Sequence, residues 1–309
     1  MDDGAADLPL ARFEGAPPPR SPWLADTLAM SPERTRFACE GAGIELLTWG
    51  EAGKPGLLFL HGNGAHADWW SFIAPAFAAS HRCAAISWSG MGGSDWRDGY
   101  SIEGYARELL GTIDAAGLDQ AGPPIVVGHS FGGIPLMYAA VHHGNRIGGG
   151  IMVDSFVPPR ERPAPDWAVS GKAPPRYASE AAIVARYRFA PPQDSAHPDI
   201  VDHLARGSVR VAADGSGEWM WRFDPRMWAT LDRSGADPLV ERAGVPFGIL
   251  HGELSALVSA DHAERLAARL PDCRFVAAIP RARHHIMVDE PIALIAALRV
   301  GIATLEHRT

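Results

Sequence analysis

The chain predicts an α/β fold: a mostly parallel sheet flanked by helices, with an inserted helical subdomain. Three observations carry that expectation. Short apolar runs of strand length recur, helix-length stretches separate most of them, and one long Pro- and Trp-rich segment interrupts the rhythm. Parallel strands covered on both faces read as short continuous apolar runs, and their alternation with helices implies such a sheet.

The elements follow in order. Residues 1–34 are rich in Pro, Ala and Asp (GAPPPRSPW) without a clear period, and read as an extended or loosely docked N-terminal arm. Over 35–154 the strand runs are IELLTW (44–49), LLFL (57–60), CAAIS (83–87), IVV (125–127) and GIMV (150–153). SIEGYARELLGTIDAAG and IPLMYAAVHHG lie among them at helix length. Residues 155–240 hold PPRERPAPDW, APPRY and APPQDSAHPD, with Trp167, Trp219, Trp221 and Trp228. That stretch is too long for a loop and predicts an inserted, mainly helical subdomain. The core resumes over 241–309 with FGIL (247–250), the helical SADHAERLAARL and the strand CRFVAA (273–278).

A chain of 309 residues suits one large domain carrying an insertion, and can bury a core without disulfides or metals. Hydrophobic residues at 47% and charged residues at 21% are ordinary for a globular chain. A net charge of −8 gives no footing for a nucleic-acid or anionic-membrane surface. No run reaches the roughly 18 apolar residues of a membrane span, and the acidic N-terminus lacks the pattern of a signal peptide. Cys39, Cys83 and Cys273 are far apart and in no metal spacing, so they read as buried free thiols. A cytoplasmic location is the resulting expectation; a homodimer stays open.

The strongest motif is Gly128-His129-Ser130-Phe131-Gly132-Gly133, directly after IVV and opening a helical stretch. A G-x-S-x-G between strand and helix forms a tight turn that holds its serine in a strained conformation above the sheet. The flanking small residues relieve the crowding, and Ser130 becomes the candidate nucleophile. The bland alternative is a glycine-rich turn whose serine only caps a helix. A second motif, His61-Gly62-Asn63-Gly64, ends the strand LLFL. Acyl transfer needs two N–H donors where the oxyanion forms, and the backbone N–H groups of Asn63 and Phe131 are the candidates. The base should be a late histidine, His284 or His285 in IPRARHHIMVDEP, since a neutral imidazole can take and return the serine proton. The carboxylate that orients it is Asp154, ending GIMV, or Glu253, just after FGILHG. Asp289 and Glu290 lie too close to His284 in sequence and read as exposed.

Together these residues resemble the α/β-hydrolase fold superfamily over roughly 35–305, within it the serine esterase-like members with a helical cap. The matching segments are LHGNG with DWW after it, the SGMGGSD loop after CAAIS, GHSFGG, and RHHIMVDEP. In relatives the catalytic histidine stands seven residues before the proline, which selects His284 by counting from Pro291. Many members carry an aspartate three residues after the glycine that follows the FGIL-type strand; here that position is Ser255. A smaller group places its acid one strand earlier in an apolar-Asp pattern, which MVDS matches at Asp154. The resemblance therefore favours Asp154 over Glu253.

The expected function is cleavage of a carboxylic ester, or related acyl bond, of an apolar or aromatic small molecule through an acyl-enzyme. Trp69, Trp88, Trp219 and Trp221 are the candidate pocket residues, although tryptophans in a small subdomain are more often core. No metal or organic cofactor is expected, because dinucleotide, HExxH and P-loop motifs are absent. One rival is carbon–carbon bond hydrolysis of a dienoic acid, which would call for a pocket arginine such as Arg186 or Arg188. The other is a ligand-binding receptor or regulatory protein that keeps the triad.

Overall fold

The computed structural model describes residues 8–155, 175–234 and 240–307. Its strands are β1 (Glu33–Cys39), β2 (Ala42–Trp49), β3 (Gly56–Leu60), β4 (Arg82–Ile86), β5 (Tyr100–Ser101), β6 (Ile125–His129), β7 (Gly149–Val153), β8 (Val209–Val211), β9 (Trp219–Trp221), β10 (Leu231–Asp232), β11 (Phe247–Gly252) and β12 (Cys273–Ile279). Its helices are α1 (Pro22–Ala29), α2 (Ile102–Ala116), α3 (Gly133–His142), α4 (Glu180–Val184), α5 (Pro198–Gly207), α6 (Met227–Thr230), α7 (Ala260–Arg269), α8 (Ile286–Asp289) and α9 (Pro291–Glu306).

Each apolar run of the sequence became a strand of one sheet, ordered β1-β2-β4-β3-β6-β7-β11-β12. The pairs from β4 through β12 are parallel, while β1–β2 and β2–β4 are antiparallel. Side chains alternate between two cores, as a period of two dictates. Leu57, Phe59, Val127, Ile151 and Val153 enter one; Leu58, Leu60, Val126 and Met152 enter the other. Strands buried on both faces cannot alternate polar and apolar, which is why they read as continuous runs.

Helix α2 shows why the intervening stretches fold as they do. The Ser101 hydroxyl accepts the Gly104 N–H at its start, and Gly117 at φ 61° closes its end. Ile102, Tyr105, Ala106, Leu109 and Ile113 form its buried stripe. Ser259 caps α7 in the same way. Among the described residues no helix is long and apolar enough to cross a membrane.

Three expectations change. Within the arm, residues 8–32 are not extended: they carry α1, bury Leu10 and Leu24, and are bonded at three places. Trp49 Nε1 donates to the Met30 carbonyl at 3.1 Å, Ser21 N to Asp199 at 2.9 Å, and Arg206 to the Gly15 carbonyl at 2.8 Å. The segment 175–234 is not only helical, since β8 and β9 form an antiparallel pair within it. It is also fused to the sheet: Ile183, Tyr187, Phe189, Ile200 and Leu204 share a core with Phe59 and Val127. Of the three free cysteines only Cys83 is buried, because Cys39 and Cys273 lie on the edge strands β1 and β12.

Strand order reverses between β3 and β6, the place where open α/β sheets bind ligands beyond the carboxyl ends of their strands. Leu60 is paired with Gly128 there, so the turns at His61 and Ser130 sit side by side.

Candidate active site

Ser130 follows β6 directly and starts a 3-10 turn that runs into α3. Its φ is +50°, a left-handed conformation that a residue with a side chain rarely adopts. The neighbouring glycines make that turn feasible. A Cβ on Gly128 would meet the Gly132 carbonyl oxygen at 2.8 Å, and one on Gly132 would meet the Leu60 carbonyl oxygen at 2.7 Å. Ser155 Oγ donates to the Ser130 carbonyl at 2.5 Å and braces the turn from just beyond the end of β7.

Ser130 Oγ lies 2.9 Å from His284 Nε2, and His284 Nδ1 lies 2.6 Å from Asp154 Oδ2. The consistent proton arrangement has the serine hydroxyl donating to Nε2 and Nδ1–H donating to the carboxylate. His284 and Asp154 are both buried. Asp154 also has a positive φ, 44°, where β7 ends beside β11. Its other partners are the Gly252 N–H on Oδ1 at 2.8 Å and the Ser255 hydroxyl on Oδ2 at 2.7 Å. Three donors therefore converge on one carboxylate and fix its plane. Ser255 Oγ in turn accepts the Leu257 and Val258 N–H groups, both at 3.1 Å.

Glu253 is exposed and accepts the Arg281 N–H at 2.8 Å, closing a surface turn in which Arg281 has φ +62°. It is not brought to His284. Asp289 differs from expectation: half-buried, it accepts the Arg283 N–H at 2.8 Å and the Gln193 amide at 3.1 Å. Burial, ahead of its other influences, lifts its carboxyl above the usual range. Glu290 is partly covered and pairs with Arg281 at 3.0 Å. These two carboxylates brace the histidine loop because α8 turns them back on it.

The turn after β3 is set by His61. Its Nε2 accepts the Trp88 N–H at 3.0 Å, so Nδ1 carries the proton and donates to the Gly62 carbonyl at 2.7 Å. Burial, above all, lowers its pKa to about 3 and keeps it neutral. In a planar trans peptide the N–H of Asn63 points opposite to the Gly62 carbonyl. Clamping that carbonyl therefore aims the Asn63 N–H. A Cβ on Gly62 would stand 3.1 Å from Ser130 Cβ, which places this turn against the serine.

The histidine loop packs on an aromatic cluster. His129 Nε2 donates to the His284 carbonyl at 3.0 Å. His285 lies against Phe189, Trp69 and His129, with ring centroids 4.9, 5.2 and 5.6 Å apart. Burial first, and the neighbouring His284 second, push the pKa values of His129 and His285 well below the ordinary range. His129, His284 and His285 each offer a ring nitrogen within 4.8 Å of the others. An ion there would compete for His284 nitrogens already engaged with Ser130 and Asp154.

The four tryptophans named as pocket candidates pack largely against other side chains. Trp88 is fully buried against Tyr105, and its indole donates to the His61 carbonyl at 3.0 Å, so it braces the turn from within the core. Trp69 is 5% exposed and stands behind the histidines. Trp219 and Trp221 pack into the core shared with Tyr177 and Tyr187. Large apolar rings satisfied a core first. Trp228 instead meets Phe131 at 6.1 Å. Arg186 and Arg188 alternate with buried Tyr187 and Phe189 and point to solvent, so neither supplies the pocket arginine of the carbon–carbon reading. Trp167 lies outside the described residues.

Sequence reasoning missed the roles of Ser255, Ser155, His61 and Trp228. Ser255 had left a signal, as the hydroxyl standing where relatives carry a carboxylate, and His61 another, as the first residue of its glycine-rich motif.

Comparison with known proteins agrees with this architecture. The Esterase Rv0045c of Mycobacterium tuberculosis is 26% identical over 271 residues, covering 84% of this chain and 86% of that protein. Its crystal structure has a TM-score of 0.68 at 22% identity, covering 98% of each chain. The pimeloyl-[acyl-carrier protein] methyl ester esterase of Aromatoleum aromaticum is 26% identical over 238 residues, covering 72% of this chain and 88% of that one. The thioesterase domain from the curacin biosynthetic pathway has a TM-score of 0.71 at 22% identity, covering 87% of this chain and 99% of its own. The family model of the alpha/beta hydrolase family matches residues 57–298. The chain therefore belongs to the alpha/beta hydrolase family and is a hydrolase.

Proposed function

We propose that the protein is a serine esterase in which Ser130 is the nucleophile, His284 the general base and acid, and Asp154 the orienting acid. The observation that carries this reading is the continuous relay from Ser130 Oγ through both His284 nitrogens to Asp154, at 2.9 and 2.6 Å. His284 takes the serine proton as Oγ attacks the ester carbonyl, and Asp154 stabilises the imidazolium that forms. The Asn63 and Phe131 N–H groups receive the oxyanion; in such sites the loss of one donor costs about 10²–10³ in rate. His284 returns the proton to the leaving alcohol, leaving an acyl-enzyme. Water then attacks it with His284 again as base.

The inserted segment acts as the cap in this reading. It touches the loops after β3, β4, β6 and β12 through His203, Phe223, Trp228 and Gln193. The substrate is a small molecule, and Trp228 beside Phe131 offers an apolar wall for it. A cytoplasmic location fits this role. The test is labelling with a fluorophosphonate probe together with hydrolysis of aryl butyrates. Wild type should be labelled and turn over repeatedly, while Ser130→Ala should do neither. Labelling that survives Ser130→Ala overturns the assignment, and a single slow turnover with a stable adduct points to a receptor.

A further inference from the structure

The hairpin of the inserted segment carries a concentration of positive charge that the triad does not use. In the pairing of β8 with β9, Arg210 stands opposite Met220, and Arg222 lies two residues beyond it on the same face. Arg176 joins that face by donating to Met220 Sδ at 3.1 Å. Trp219 and Trp221 occupy the other face and are spent on the core. The arginine face lies on the loop after β4: the Arg210 guanidinium sits 4.8 Å over the ring of Trp96.

The group is rich in donors and poor in acceptors. Arg210 Nε, Arg222 Nε and Trp96 Nε1 are all buried and without a hydrogen-bond partner. Asp214 answers Arg176 at 3.4 Å. Among the described residues no carboxylate pairs with Arg210 or Arg222; Arg222 reaches only the Gly207 carbonyl, at 3.3 Å. Burial, then the charges of Arg222 and Arg176, lowers the Arg210 pKa. Covered donors without acceptors and like charges held together both oppose folding, and one bound anion relieves both. Guanidinium forks match planar or tetrahedral oxyanions, and Trp96 supplies a flat wall.

The position joins this group to the reacting edge. Gly207, which Arg222 holds, lies so close to His66 that an added Cβ would stand 2.4 Å from its ring. Phe223, next to Arg222, bridges Met91, and Asp224 N donates to the Gly90 carbonyl at 2.7 Å. The face therefore covers the loops that follow β3 and β4, at the same carboxyl edge of the sheet as Ser130.

We propose that Arg210, Arg222 and Trp96 form a subsite for an oxyanion group, carboxylate or phosphate, carried by the ester substrate at a distance from its reacting carbonyl. This rests on the esterase reading, so the test separates the two. Phenyl butyrate, 4-carboxyphenyl butyrate and 4-phosphonooxyphenyl butyrate are titrated calorimetrically into Ser130→Ala, which binds without turnover. At least one anionic ester should bind ten-fold or more tighter than the neutral one, and which of them does so identifies the group. Adding Arg210→Gln and Arg222→Gln should erase that preference. Arg210→Lys with Arg222→Lys, which keep the charge but lose the fork, should retain only part of it, and Arg186→Gln should leave it intact. Equal affinity for all three esters, or a preference that survives the double Gln variant in a protein with unchanged melting temperature, overturns the subsite. Failure of wild type to hydrolyse any of the three overturns the esterase reading instead.

Discussion

At Ser255 a hydroxyl stands where many relatives carry the triad acid, and here it donates to Asp154 from that very place. In the proposed triad the acid is Asp154, one strand earlier, and the Ser255 hydroxyl holds it. Replacing Asp154 by Asn keeps the shape but presents the wrong tautomer, so kcat should fall by about 10⁴. Glu253→Gln should change it little. Steady-state kinetics on both decide the point, and the reverse ranking moves the acid to Glu253. His284→Ala should be nearly inactive. His285→Ala should keep substantial activity, because His285 packs the loop without touching Ser130; a kcat/KM profile that loses its acidic limb only in the His285 variant reverses that choice. The features legible in the sequence were those set by neighbours along the chain, such as the turn that holds Ser130 between its glycines. Ser155, Ser255 and Trp228 act across 25, 101 and roughly a hundred positions, and only folding creates those contacts.

Among the elements, those buried on both sides announced themselves, and those at an edge did not. Strand β1, ERTRFAC, is mostly exposed and carries no continuous apolar run, so it escaped notice. The pair β8–β9 escaped because three-residue strands are shorter than any pattern that periodicity can register. The Trp-rich composition of that region did not show that β9 packs Trp219 and Trp221 against the core. The strand-to-helix junction at β6 and α3 is the element on which the proposed chemistry depends. Gly132→Ala places a methyl group against the Leu60 and His61 carbonyls, at 2.7 and 2.8 Å. Overpacking of that kind costs about 1–3 kcal/mol. Urea unfolding should register that loss, and fluorophosphonate labelling should weaken with it. Unchanged labelling at wild-type rate would mean that the turn tolerates a side chain there.

Taken as a whole, the molecule keeps an unusual set of histidines buried and neutral. The pKa of His61 is lowered to about 3 and that of His203 to about 4, while His129 and His285 lie well below the ordinary 6.5. Desolvation is the leading cause in each. A folded-state pKa depressed below the unfolded one means that the unfolded chain binds more protons in between. Stability is therefore complete above about 6.5 and declines as pH falls towards 4. The unfolding free energy, measured in denaturant at pH 5, 6, 7 and 8, should rise with pH across the lower part of that range. His203 Nε2 meets Ser71 at 2.8 Å, where α5 docks on the sheet. His203→Gln should flatten the slope by up to one proton, about 1.4 kcal/mol per pH unit; an unchanged slope assigns the effect to the other histidines.

The first described stretch of chain has a mechanical consequence. It is bonded to Asp199 and Arg206 on α5 at one end and to Trp49 on β2 at the other. Any motion that lifts α5 from the sheet must stretch this strap or peel it away. The travel available to the inserted segment is then limited by the slack between Gly15 and Met30, and α1 takes up most of that length in a form that does not extend without unfolding. Lifting α5 therefore has to break the Ser21–Asp199 and Arg206–Gly15 hydrogen bonds or else draw on α1 itself. Arg206→Ala cuts the strap at one anchor. Amide exchange in α1 and in α5 should quicken together in that variant, whereas exchange in α2 should stay as it is.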